Sequence, residues 1–260
     1  MRKTFERHPG IPVFCAIVLL IVVSRWGLDF SAFHTFTMSM MKETVSGLLH
    51  PDWSYFYDGS SEDVFSMMLM TIAIALSGTA IGTVIAFPLS LLSAANLWPK
   101  HSPVPRIGKV ILDILRSFPE LVYAIIFVKM VGPGPFAGVM AIGVHQIGML
   151  GKLFAEEMER LDTAPVEAMK SVGANAVETF FYARLPQLSP IYVSLILNHF
   201  EIGVRSASTL GLVGAGGIGA PLIFAIQARS WDKVGIILLA VIVTVYLLDI
   251  FTGWVRKQLR

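Results

Sequence analysis

The sequence predicts an all-α membrane protein with about six transmembrane helices, and three observations predict it. The 260 residues are 55% hydrophobic and 15% charged, against about 25% charged in soluble domains, and the mean hydropathy is +0.69. Apolar runs of spanning length alternate with short polar, proline- or glycine-bearing connections. A single long polar interval, 156–190, interrupts this pattern. The formal charge of +2 carries no nucleic-acid signature. The one cysteine, Cys15, excludes an internal disulfide and reads as a small apolar packing residue. No metal-type Cys/His spacing occurs.

Residues 1–62 divide into a first helix and a mixed segment. Arg2, Lys3 and Arg7 precede an apolar run over 11–23, and apolar character resumes after Arg25 with no small-x-small cleavage site. We read it as an uncleaved first span. Residues 29–62, with Trp53, Tyr55, Phe56 and Tyr57, read as an external loop with an amphipathic, interface-seeking part. The core then runs over 63–260. Its first apolar run, 64–98, exceeds one straight crossing, and Pro88 is expected to kink it or end its lipid-depth portion. Gly78 and Gly82 have the small-xxx-small spacing that lets helices approach closely. A third span is expected over 107–130, a turn at Gly132-Pro133-Gly134-Pro135, and a fourth span over 136–154. A fifth is expected over 191–212, then a glycine-rich stretch, a short helical piece to Ala228 and a last span over 234–254.

An even number of spans puts both termini on one side. Only Arg25, Lys42, Lys129, Arg205, Arg229 and Lys233 fall on the opposite side, with Arg116 inside a span, while the rest of the 20 Lys and Arg lie on the terminal side. The positive-inside rule therefore predicts a multi-pass protein with both termini and 156–190 in the cytoplasm.

Within that polar interval, Asp162 and Thr163 offer capping oxygens and Pro165 suits a first turn. A short helix would carry Glu167, Ala168, Met169 and Lys170 and end at Gly173. Asn175 and Glu178 have capping-box spacing for a second helix, which Pro186 is expected to stop. On these grounds alone, an amphipathic loop on the membrane surface competes with a docking knob.

Glu167-Ala168-Met169, Gly173 six residues after the glutamate, and Leu185-Pro186 resemble the EAA loop of ABC importer permeases. That pattern has alanine where Met169 stands and isoleucine where Ala183 stands; both replacements are apolar. Arg116-Ser117-Phe118-Pro119-Glu120-Leu121-Val122, Gly134-Pro135-Phe136-Ala137-Gly138, His145 with 148–155, and Arg205-Ser206-Ala207 through Gly219 are similar to phosphonate-type (PhnE-like) permeases. The resemblance implies a type I ABC importer permease fold with a cytoplasmic coupling helix. It also implies pairing with a second permease subunit as a dimer, two ATPase subunits and an external substrate-binding protein. Glu167, Ala168, Met169, Gly173, Leu185 and Pro186 would couple the membrane part to the ATPases.

Charges inside spans cost about 2.5–3.5 kcal/mol each on insertion scales, so they face partners or a watery path. Arg116 and Glu120, four apart in one predicted span, share a helix face and form either an ion pair or part of an anion's path. Pro119 between them would open the helix. His145 is either a packed residue or a path residue. Asn198, Glu201, Arg205 and Ser206 complete the candidate substrate path, with a Glu201–Arg205 ion pair as the structural alternative. Gly214, Gly216, Gly217 and Gly219 form either an external gate or hinge, or a loop that lets helices pack. Gly214-x-Gly216-x-x-Gly219 also satisfies the dinucleotide fingerprint, but without the strand–helix unit that gives it meaning.

There is no phosphate-binding loop: the nearest approach, Gly151-Lys152, has Gln146 at the first glycine position and Leu153 after the lysine. No nucleophile–base set appears, so no catalytic residue is assigned and no cofactor is expected in this chain; ATP and magnesium belong to the partner ATPase. The resulting expectation is a permease subunit of an ATP-driven importer for phosphonate, phosphite or phosphate, working by alternating access. The competing class is an ion-coupled secondary anion carrier with Glu120, His145 and Glu201 as relay groups.

Overall fold

The computed structural model describes residues 10–27, 38–60 and 62–258. Arg2, Lys3, Arg7 and Arg260, counted above for orientation, lie outside the described residues, as does the side chain of Arg25. Every regular element described is helical, as an all-α membrane protein requires. The chain divides into two units, 1–45 and 46–260.

The first unit holds α1 (Gly10–Gly27) and the start of α2 (Met38–Leu49). The described side chains of α1, from Val13 to Ser24, are all exposed, Cys15 among them.

The second unit is built on α3 (Val64–Ser93) and α6 (Pro135–Glu159), the most extensively packed helix pair. Asp63 caps α3, its carboxylate accepting from Ser66 N–H at 2.7 Å. Pro88 does not end α3, which continues through it to Ser93. The two backbones approach at glycines. A Cβ on Gly78 would lie 2.8 Å from Ile142 Cβ, and one on Gly82 would lie 2.6 Å from Gln146 Cβ. The small-xxx-small spacing thus serves close packing, the term that holds helices together where burial in lipid supplies no hydrophobic force.

The third expected span is the main departure. It is two helices, α4 (Val104–Ser117) and α5 (Glu120–Val131), separated at Phe118-Pro119. Proline at 119 has no N–H to give and restricts Phe118 to extended backbone, and Phe118 is extended at ψ 131°. α4 places Arg106, Lys109, Asp113 and Arg116 along one stripe and buries Pro105, Gly108 and Leu112.

α7 (Ala164–Ser171) follows α6. The second helix of the polar interval, α8 (Ala176–Thr179), runs through a π-helical turn (Phe180–Arg184) directly into α9 (Leu185–Leu210). Pro186 does not stop a helix here; it occupies the first turn of α9, where a missing N–H costs nothing. The chain closes with α10 (Gly219–Gln227) and α11 (Trp231–Gln258). Among the described residues α3, α6 and α11 are long and apolar enough to cross a membrane. α9, with 26 residues, reaches about 39 Å but carries a polar face.

Small apolar residues dominate the core. Ala75, Ala141, Ile142, Val204 and Ala207 gather where α3, α6 and α9 meet. At one end, Phe154 stacks on Tyr192 at 4.2 Å between ring centres, and Tyr192 donates to the Phe154 carbonyl at 2.8 Å.

Candidate functional site

The segment carrying Glu167 is a knob of two short helices around a left-handed glycine. Asp162 accepts from Ala164 N–H at 3.0 Å, and Pro165 sits in the first turn of α7. Gly173 has φ +81°, and its N–H reaches the Lys170 carbonyl at 3.0 Å while Ala174 N–H reaches that of Met169 at 3.1 Å. This pair of bonds is a Schellman motif, which needs a left-handed residue at the position Gly173 holds. The expected capping box is present: Glu178 N–H donates to Asn175 at 2.9 Å, and Asn175 N–H to Glu178 at 2.8 Å. Glu167, Ala168 and Gly173 face outward, Met169 and Leu185 are half-buried and Pro186 is exposed. Val172, Val177, Phe181 and Tyr182 add an exposed apolar surface to the same knob.

The knob is tied to the ends of α3 and α6, which sequence reasoning did not foresee. The half-buried Arg184 donates to the Asn96 carbonyl at 3.4 Å, and burial pushes its guanidinium below its ordinary value. Asn96 donates to the Met158 carbonyl at 2.7 Å, and Ala95 N–H to Glu159 at 2.7 Å. Lys109 on α4 pairs with the same Glu159 at 2.8 Å. The basic stripe of α4 was the available signal; the partner of its Lys109 lies on α6, across a distance that sequence spacing does not reveal.

The break between α4 and α5 forms the second part of the site. Tyr123 donates to the Leu115 carbonyl at 2.7 Å, satisfying an acceptor that the lost helix turn would leave open. A Cβ on Gly148 would come within 2.6 Å of Arg116 N, so α6 can lie against the break only with glycine there. Beside it stands Glu120, the first residue of α5. The His145 ring lies 6.5 Å from that of Tyr123. Gln146, 2% exposed, donates to the His199 carbonyl at 3.0 Å. Glu120 Oε1, His145 Nδ1, Gln146 Oε1 and Thr79 Oγ1 are buried with no hydrogen-bond partner.

Neither of the i,i+4 ion pairs weighed as alternatives forms. Arg116 and Glu120 end up on different helices, and Arg116 pairs with Asp113 at 2.9 Å, which Lys152 also reaches at 2.9 Å. Glu201 is 6% exposed and pairs with Arg256 of α11 at 2.9 Å, with Thr252 donating to the same oxygen. Arg205 is exposed, without an ion-pair partner among the described residues, and Asn198 is half-buried. Replacing Arg256 by Met should destabilise the protein toward the lower end of about 3–5 kcal/mol, because the Glu201 charge is then stranded. Arg256 itself is 29% exposed, which moderates the loss. Thermal unfolding in detergent would check this, and adding Glu201→Gln should recover most of it.

At the opposite end of the helices, the glycine stretch is packed rather than open. Gly214, Gly216 and Gly217 have φ between +76° and +88°. Ile218 N–H donates to Thr71 Oγ1 at 2.9 Å, and Gly134 N–H to the Gly214 carbonyl at 2.8 Å. A Cβ on Gly219 would meet the Ser208 carbonyl, and one on Gly216 would lie 2.8 Å from Pro135 N.

This architecture has known counterparts. The chain is 39% identical over 193 residues to the phosphite transport system permease protein PtxC of Stutzerimonas stutzeri, covering 74% of this chain and 70% of that one. It is 37% identical over 203 residues to the phosphate-import permease protein PhnE of Mycolicibacterium smegmatis, covering 78% of this chain but 38% of that longer relative. A solved chain of the MetNI methionine ABC transporter, in inward-facing conformations, superposes with a TM-score of 0.63 at 19% identity. It covers 86% of this chain and 100% of that one, a likeness of fold. The model of the binding-protein-dependent transport system inner membrane component matches residues 86–260, a span that takes in the helix break, the knob and the glycine stretch, and the chain belongs to that family.

Proposed function

We propose that this chain is the permease subunit of an ATP-driven importer for phosphonate or a related oxyanion, phosphite or phosphate. The observation that carries the reading is the 39% and 37% identity, over about three quarters of the chain, to permeases whose substrates are phosphite and phosphate. A second permease subunit completes the path as a dimer, two ATPase subunits bind the knob, and an external binding protein delivers the anion. Both termini and the knob lie in the cytoplasm, and ATP and magnesium are held by the ATPases.

The geometry supports a mechanism for this reading. The partner touches α7 and the exposed Val172, Val177, Phe181 and Tyr182, and the knob's ties through Arg184, Asn96 and Glu159 hand its movement to α3, α4 and α6. ATP and the loaded binding protein each favour one of two states through differential affinity, which is the only way a ligand shifts an equilibrium. The path for the anion uses Glu120, His145, Asn198, Arg205 and Ser206, with Arg116 and Glu201 holding its walls through their own ion pairs.

Uptake of labelled phosphate by cells with and without the gene, competed by 2-aminoethylphosphonate and by phosphite, tests the reading. We expect vanadate-sensitive, protonophore-resistant uptake that disappears on deletion. Protonophore-sensitive, vanadate-resistant uptake would instead make the chain an ion-coupled carrier, and no change for any of the anions would remove the substrate class.

A further inference from the structure

A cleft of about 710 Å³ lies along the turn between α3 and α4. It sits at the same end of the helices as the knob, since Asn96, which Arg184 of the knob reaches, lines it. Its charged lining is all basic, Lys100, Arg106 and Lys109, with no carboxylate. Lys109 is committed to Glu159 of α6 at 2.8 Å. Lys100 and Arg106 are exposed and have no ion-pair partner among the described residues. Trp98 lines the same cleft, its indole N–H donating to the Leu91 carbonyl at 3.1 Å. A tethered tryptophan beside lysine and arginine is what the boundary between lipid and water selects. From the cleft an apolar face continues along α4. Val110 lines the cleft, and Ile107, Val110, Ile111 and Ile114, at i, i+3, i+4 and i+7, are all exposed. The buried residues of α4, Pro105, Gly108 and Leu112, share a different face.

The cations and the apolar face together call for a guest with two parts. A free oxyanion would use the cations and leave the isoleucines bare. A zwitterionic lipid would cover the isoleucines but bring its own cation to a basic cleft. An anionic phospholipid satisfies both, with its phosphate at the cations and its acyl chains along α4. Basic clusters beside a spanning helix at the cytoplasmic surface attract such headgroups, and the planar fork of an arginine can take two phosphate oxygens at once. Resting on the cytoplasmic placement of the knob proposed above, we propose that this cleft binds an anionic phospholipid of the cytoplasmic leaflet, its phosphate held by Lys100 and Arg106 and its chains lying on Ile107, Val110, Ile111 and Ile114. Lys109 stays with Glu159, which leaves the two unpaired cations to the lipid.

The test is native mass spectrometry of the full complex in dodecyl maltoside micelles carrying phosphatidylglycerol or phosphatidylcholine with the same acyl chains. Phosphatidylglycerol should be retained in preference to phosphatidylcholine. Arg106→Gln should weaken its retention about fivefold, and Lys100→Gln with Arg106→Gln about twentyfold. Lys257→Gln, which removes an exposed charge from the last turn of α11, should retain the lipid as the parent does. Equal retention of the two lipids overturns the site, and so does parental retention by the double variant. Displacement of the lipid by millimolar inorganic phosphate also overturns it, because the cleft would then take a free anion. Release of an ATPase or permease subunit by the double variant, with phosphatidylglycerol still bound, would give the cleft to a protein neighbour instead. If the double variant fails to assemble, Arg106→Gln alone decides. Micelles have no sidedness, so the placement of the knob is tested apart from the lipid. Lys170→Cys in a Cys15→Ser background should resist a membrane-impermeant maleimide in spheroplasts. Labelling there would sink the cytoplasmic placement, and the leaflet with it, whatever the micelle experiment shows.

Discussion

Gly173→Val is expected to abolish coupling while leaving the protein folded. No atom lies within 4 Å of where the new Cβ would sit, so there is no clash to unfold the helices. The cost is in the backbone: φ is +81°, and a left-handed residue other than glycine loses roughly 1–2 kcal/mol, more when β-branched. The knob escapes by giving up the Schellman bonds from Gly173 to Lys170 and from Ala174 to Met169, which moves α7 against α8. Uptake should fall at least about tenfold, the equivalent of a mere 1.4 kcal/mol, and ATP hydrolysis should lose its response to loaded binding protein. The melting temperature of the purified complex should stay near the parental value. Gly173→Asn, which tolerates the left-handed region, should retain most uptake. Gly59→Val is the control for strain outside the knob, since Gly59 has φ +79° and equally open space. Parental uptake by Gly173→Val, or Asn faring no better than Val, would remove the knob from the coupling path.

Gly82→Leu is expected to fail differently, by preventing the fold. The first added atom alone would lie 2.6 Å from Gln146 Cβ and 2.9 Å from the Gly143 carbonyl oxygen. The obstructing atoms are backbone or sit at a side-chain root, so no rotamer change relieves them. Overpacking costs typically about 1–3 kcal/mol, and more where helices cannot separate. α3 and α6 also frame the buried Gln146–His199 contact, so forcing them apart exposes orphaned polar groups to the core. The complex should not be recovered as a single species by size-exclusion chromatography. Gly253→Leu, with nothing within 4 Å, should be recovered normally. Normal recovery of Gly82→Leu would show that the α3–α6 approach is wider than described.

The difference between these glycines shows what was legible beforehand. Gly173 could be read from the sequence because a helix end is local: its caps, its left-handed glycine and the Asn175–Glu178 box all lie within a few residues of one another. The role of Gly82 as a close-approach position was legible as a spacing, but its partner Gln146 was not. Pro186 misled for the complementary reason. Proline excludes a helix interior, yet a π-helical turn before it places it in a first turn, where it is welcome. The i,i+4 rule failed for Arg116 and Glu120 because it presumes an unbroken helix, and Pro119 had already broken it. For Glu201 it failed because Arg256, distant in the chain, reaches the buried carboxylate from α11.

Composition, hydropathy and local motifs by themselves determined an all-helical membrane protein and the caps and helix-ending glycine of the segment around Glu167 and Gly173, because those properties depend on near neighbours and on what lipid tolerates. Tertiary structure alone decided which charges pair, that Gly214–Gly219 is clamped by Thr71 and Pro135, and that Glu120 Oε1 and His145 Nδ1 are left buried without a hydrogen-bond partner. Long-range partners are chosen by how separate helices pack, and the energy of a buried charge or orphaned atom depends on whatever that packing brings within about 3 Å of it.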